Sequence, residues 1–221
     1  EANLAIARAA TKTPVPSQEV TDDELEAPCA RTVIVPATHD PSVSKIDCRF
    51  QASQPENAVA EGVVSAEQFY LPEYDSILKL MIEWVVQKEG PVLATELARR
   101  IARSHGFQRT GNRIQGRVEQ LAQKRFASTE EAVGTFYWPD VVIPGTEVAF
   151  RWPANADSTR RVEEICEQEL LSLARWAIGT GRTGEEALVA MARELGLRKL
   201  RAASRRRLEM ALVQSYGVSL F

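Results

Sequence analysis

The sequence lacks most of the features that assign a protein at a glance. Cysteine occurs three times in 221 residues and never as C-x-x-C. No disulfide framework is therefore encoded, and a reducing, cytosolic setting is expected. No apolar run approaches the about 18–20 residues of a membrane span, so no membrane partner is expected. Net charge is only −3, which by itself does not announce a nucleic-acid binder. Of the two histidines, His39 and His105, neither stands with a Ser or Cys nucleophile and a third orienting group. No Asp/Glu-x-Lys cluster follows a strand as in a nuclease. The segment is expected to be non-catalytic, with no metal and no cofactor of its own. It starts at Glu1 without a signal peptide, so it reads as a piece of a longer protein. What it does have is 44% hydrophobic residues, enough for a core, and length for one ordinary domain or two small ones.

Charge and proline divide the chain into three. Residues 1–73 carry five Lys/Arg against twelve Asp/Glu and seven of the eleven prolines. They read as an acidic connector with short strands, Arg31–Val35 and Ile46–Gln51, after an Ala-rich start (Leu4 to Ala10) that would continue an upstream helix. Residues 74–139 turn helical. Ile77, Leu78, Met81, Ile82 and Val85 form one face of a first helix that Gly90-Pro91 ends. Thr95 would cap a second helix, stopped at Gly106, and Thr110 would open a third with Ile114, Val118 and Leu121 inward. A hairpin into Phe136-Tyr137-Trp138 follows, its aromatics expected on the buried face. Three helices and a hairpin are the order of a winged helix-turn-helix.

Residues 140–221 form a second unit: a strand Val148–Trp152, a helix from about Arg161 to Ile178, and helices Glu185–Leu195 and Leu200–Gln214. At an offset of 90, Glu96, Ala102, Arg103, Gly106, Arg117 and Glu119 meet identical residues, including Gly196 and Arg207. The fold expected is mainly α with small β hairpins (α+β): a winged helix-turn-helix, then a degenerate helix-turn-helix repeat.

Positive charge is concentrated on the third helix of each unit. Arg109, Arg113, Arg117, Gln120 and Lys124 would share one surface, and Arg198, Arg201 and Arg205 another. Arg, Gln and Asn at helical spacing suit phosphate clamping and base-edge contact. Gly116 costs that helix about 1 kcal/mol relative to Ala, and its use would be to let another backbone come close. The plain alternative is a solvated helix face, with Arg100 or Arg103 pairing Glu96 and Arg205 pairing Glu209. Glu130 and Glu131 in the hairpin turn would repel a phosphate backbone. The G-x-G-x-x-G run Gly179–Gly184 follows a helix rather than a strand and reads as a turn. Cys29, His39 and Cys48 lack a fourth metal ligand. His105 is placed to bond carbonyls at a helix end.

The run Ile82-Glu83-Trp84-Val85-Val86-Gln87-Lys88-Glu89-Gly90-Pro91-Val92, then Glu96-Leu97-Ala98-Arg99-Arg100-Ile101-Ala102, then Gly106-Phe107-Gln108-Arg109-Thr110-Gly111-Asn112-Arg113-Ile114, resembles a known pattern. It is similar to the small domain of unknown function at the C-terminal end of large bacterial superfamily-1 helicase-like proteins. The resemblance covers about 74–125. It implies a parent with an ATP-driven motor, where ATP and Mg would bind, and often a Vsr-like endonuclease domain, neither of which lies in these residues. It brings no established catalytic residues with it. The function expected is an accessory module that binds DNA, as duplex or junction. The rival is a docking module for other domains of the parent, with the acidic residues 1–73 over the basic helices.

Overall fold

The computed structural model describes residues 48–217, all within one compact unit of the chain, Val35–Phe221. The Ala-rich start, the candidate strand Arg31–Val35, Cys29 and His39 lie outside the described residues.

The first half runs β1 (Arg49–Phe50), 3-10 turns Pro55–Ala58 and Pro72–Tyr74, α1 (Asp75–Glu89), β2 (Val92–Leu93), α2 (Ala94–Ser104), α3 (Asn112–Gln123), β3 (Ser128–Glu131) and β4 (Gly134–Tyr137). The three later strands form an antiparallel sheet in the order β2-β4-β3. The i, i+3, i+4 stripe of α1 (Leu78, Met81, Ile82, Val85) packs with Leu97, Ala98 and Ile101 of α2 and Val118 of α3, all at most 1% exposed. Phe69, ahead of α1 in the stretch read as connector, is fully buried in the same cluster.

The second half runs β5 (Trp152–Pro153), 3-10 turns Ala156–Ser158 and Val162–Glu164, α4 (Glu167–Gly179), α5 (Gly184–Glu194) and α6 (Ala202–Gly217). The fold is thus mainly helical with small strands. Among the described residues no helix is long and apolar enough to cross a membrane.

The 90-residue offset holds in the elements. Both α2 and α5 have 11 residues, and their starts, like those of α3 and α6, are 90 apart. Gly106 (φ +77°) and Gly196 (φ +67°) end α2 and α5 in the left-handed region. Phe107 N–H donates to Ala102 O at 3.0 Å and Leu197 N–H to Ala192 O at 2.9 Å, the six-to-one bond of a Schellman cap.

Several boundaries differ from expectation, for local reasons. Leu93 rather than Thr95 is the N-cap of α2, because β2 delivers an extended backbone directly into the helix. The helix expected from Arg161 begins only at Glu167. Ahead of it Ile165 and Cys166 are buried and extended, and Ile165 O accepts a bond from Arg207. The strand expected over Val148–Trp152 pairs only at its end. Arg151 N–H is taken by the Glu169 carboxylate at 2.9 Å, and the pairing is left to Trp152 N–H, which donates to Cys48 O, and Ala154 N–H, which donates to Phe50 O.

The two halves join through packed groups. Leu93, Phe136, Trp138 and Cys166 form one buried cluster. Glu131, at the hairpin tip, accepts from Glu167 N–H at the start of α4 (2.9 Å) and pairs with Arg207 of α6. Glu169, fully buried, is held by Arg151 and Arg160, and Arg151 reaches back to Glu89 O and Gly90 O at the end of α1.

Candidate nucleic-acid interface

The expected Arg109, Arg113, Arg117, Gln120, Lys124 surface is divided by the turn that precedes α1. Arg117 is not outward-facing. Its guanidinium donates to Asp75 Oδ1 at 2.6 Å and to Leu71 O at 2.8 Å. Arg113 is exposed, but its guanidinium carbon lies over the Tyr70 ring, 4.0 Å from the centroid. Arg109, Gln120 and Lys124 are exposed, and no hydrogen bond or ion pair within the described residues holds them. The exposed line of α3 is Asn112, Gly116, Gln120 and Lys124, one residue round from the line drawn through Arg113 and Arg117.

In the second half Arg205 is also spoken for, by Glu185 of α5 and by Glu209 at 2.7 Å. Arg198 and Arg201 are exposed and unpaired among the described residues. They have company that spacing did not single out: Arg193, Lys199 and Arg206 are exposed and equally unpaired. Arg193 and Arg198 line, with Val189, Leu197 and Leu200, an open groove of about 510 Å³ between α5 and α6. Arg103, near the end of α2, is exposed and unpaired among the described residues, because Arg99 and Arg100, not Arg103, take Glu96.

Cations with an acid in reach are paired, whether buried or half-buried, as Arg99, Arg100 and Arg207 are, or exposed, as Arg125 is. Arg99 and Arg100 meet Glu96, Glu164 and Glu89; Arg125 meets Glu83 and Asp140; Arg207 meets Glu131. Burial raises the pKa of Glu96, helped by the negative charge of Glu164, while Arg99 and Arg100 oppose the shift. Burial likewise raises Glu131, against the Glu167 N–H and Arg207. Burial alone would push Glu169 up, but the charges of Arg151 and Arg160 and their hydrogen bonds pull it down to about 2. Most exposed cations left without a partner among the described residues lie around the α2–α3 turn, at the ends of α3, around the α5–α6 turn and on early α6, and Lys79 stands apart on α1.

The remaining candidates resolve simply. Phe136, Tyr137 and Trp138 are at most 1% exposed, so they offer no stacking strip. Glu131 does not face a phosphate backbone, because it clamps α4 and α6 as described. His105 Nδ1 bonds Ile101 O at 2.7 Å and its Nε2 meets the Tyr74 hydroxyl at 3.0 Å, the carbonyl contact expected of it. Burial lowers its pKa. The Gly179–Gly184 run joins α4 to α5 as a turn. Of the cysteine–histidine trio only Cys48 is described.

Residues 67–116 match the model of a family described as "Protein of unknown function (DUF3320)". The matched span takes in Phe69, α1, α2, the turn bearing Arg109, and α3 as far as Gly116. The chain therefore carries a segment similar to a domain of unknown function. No curated protein and no solved structure matches the chain.

Proposed function

We propose that this chain is a non-catalytic, nucleic-acid-binding accessory module that works in the cytoplasm as part of a helicase-like protein. The single observation that carries the reading is the set of free cations. In a chain of net negative charge, Arg103, Arg109 and Lys124 in the first half and Arg193, Arg198, Lys199, Arg201 and Arg206 in the second stay exposed and unpaired among the described residues. Exposed guanidinium and ammonium groups without counter-charges are what a polyanion's docking surface requires.

The order helix, strand, helix, helix, strand, strand, with the sheet β2-β4-β3, supports a winged-helix reading of residues 72–138. The recurrence of α2–α3 as α5–α6 supports a degenerate second helix-turn-helix. This wing is spent on the join between the halves, so the contact falls to the turns and to the third helices. The helicase context rests on the residue pattern from Ile82 to Ile114, all of which lies within the matched span.

A mobility-shift titration of the full chain on duplex DNA at two salt concentrations tests the reading. Binding should weaken steeply with salt, and each lost phosphate contact should reduce the slope by about 0.9. Arg109→Ala and Arg198→Ala should each weaken binding, whereas Arg117→Ala, already committed to Asp75, should leave it within about twofold of the parent. No binding below about 100 μM at low salt would overturn the proposal.

A second reading has its own observation. The outward residues Met210 and Val213 of α6 are 49% and 71% exposed, an apolar pair on a helix whose counterpart in the first half is polar there. That surface suits docking to another domain of the parent.

A further inference from the structure

Glycine in the middle of an exposed helix needs a reason. Gly116 is the fifth residue of the 12-residue α3, and it weakens that helix relative to alanine. Its backbone is helical, with no positive φ to demand glycine. A Cβ built on it meets nothing within 4 Å, so no part of the described chain uses the space. Nothing in the packing would oppose an alanine.

What surrounds the gap is specific. Asn112, Gly116, Gln120 and Lys124 follow one another at i, i+4, i+8 and i+12, and all four are exposed. The two amide side chains have no hydrogen-bond partner among the described residues. Glu119, the one acid on α3, is engaged by Gln115 Nε2 at 2.8 Å. From Asn112 to Lys124 the helix rises about 18 Å. Arg109 before the helix and Lys124 at its end are exposed cations that flank this stretch and suit phosphate contacts at its two ends.

The geometry points to this line of α3 as a base-contacting edge for the major groove of duplex DNA. Gly116 is the notch through which the helix backbone comes close to the base edges, and Asn112 and Gln120 are the groups that contact adenine. Asn and Gln amides match the N6 donor and N7 acceptor of adenine as a bidentate pair. The corresponding line on α6 is Ala202, Arg206, Met210 and Gln214, where an arginine fills the notch position and a methionine replaces the amide. Base discrimination is thus a property of α3 alone, and the second half contributes only non-specific grip. This inference rests on the nucleic-acid reading above and adds to it a groove and a base preference.

The probe is a pool of DNA duplexes with a randomised core of about 10 base pairs, selected on the full chain; about 10 base pairs make one helical turn. The wild-type chain should enrich adenine at one or two positions. Gln120→Ala should remove the enrichment at one position, lowering discrimination there about tenfold, within the range of a lost bidentate contact. Its salt slope should be unchanged. Gly116→Leu should lower duplex affinity at least about tenfold while its melting temperature stays level or rises by about 2–4 °C, since leucine is the better helix former. Gly116→Leu binding duplex as tightly as wild type overturns the inference, as does wild-type binding with no base preference. So does a preference for duplex RNA, whose major groove is too narrow to admit a helix. In those three cases the nucleic-acid reading survives. Failure of the wild-type chain to bind any nucleic acid at low salt overturns both.

Discussion

At the scale of single residues, Arg117 and Glu169 show what spacing along a helix can and cannot tell. The spacing of Arg113, Arg117 and Lys124 is visible in the sequence, and so is their positive charge. What the Pro72–Tyr74 turn places opposite them is not, because that turn is set by tertiary packing around Phe69. Glu169 lies at the other extreme: on sequence it is one acid among many at a helix start, yet it is fully buried between two arginines. Against the cost of burial, Arg151 and Arg160 pull its carboxyl down to about 2 from an ordinary value of 4.5. Between those values the unfolded chain binds the extra proton, so this group's stabilisation is complete above about pH 4.5 and is lost as pH falls toward 2. Urea midpoints measured from pH 6 to 3 should fall for the wild-type chain. Glu169→Gln should flatten part of that fall and cost about 3–5 kcal/mol at pH 7, because it strands Arg151 and Arg160 without a counter-charge. An unchanged pH profile in the variant would show that other carboxylates carry the acid sensitivity.

At the scale of elements, the 90-residue recurrence was legible because helix starts, Schellman glycines and inward apolar positions are local features. The equivalence of Arg117 and Arg207 goes deeper than their alignment. Each reaches the start of the first helix of its own half: Arg117 to Leu71 O and Asp75, Arg207 to Ile165 O and, at 4.0 Å, Glu167. The setting differs. Arg117 and Asp75 are partly exposed, whereas Arg207 and Glu131 are 9% and 4% exposed at the side chain. Removing Arg207 leaves Glu131 buried without its cation, and removing Arg117 leaves Asp75 to solvent. Arg207→Ala should therefore destabilise by about 3–5 kcal/mol. Arg117→Ala should cost about 1 kcal/mol or less. Denaturant titrations of the two variants compare them directly, and equal losses would contradict the difference in burial. The hairpin illustrates a limit of local reading. Glu130 and Glu131 in its turn look repulsive toward phosphate, but where the tip would go depends on α4 and α6, more than thirty residues on.

At the scale of the molecule, a boundary at residue 139 is plausible from composition, since Pro139 follows the aromatic run and charge changes there. The structure places packed material across it. Trp138 and Cys166 share a buried cluster, and burial pushes the Cys166 thiol up to about 12, as expected for a thiol that packs rather than reacts. Arg99 reaches Glu164 at 3.4 Å, Arg151 caps the end of α1, and Glu131 joins α4 to α6. Each link would leave a charge or an apolar side chain exposed or unpaired if one half opened alone, so opening either half costs nearly as much as opening both. The described region should accordingly unfold in a single cooperative step. Trp138 reports the join, and Trp84 and Trp176 report the two helical halves. Tryptophan fluorescence and far-ultraviolet circular dichroism followed through the same urea titration should superimpose. Glu131→Ala should move both curves together to lower urea. If instead the variant or the wild-type chain splits into two transitions, the halves are energetically separate, and the proposed nucleic-acid surface of the first half would not depend on the second for its position.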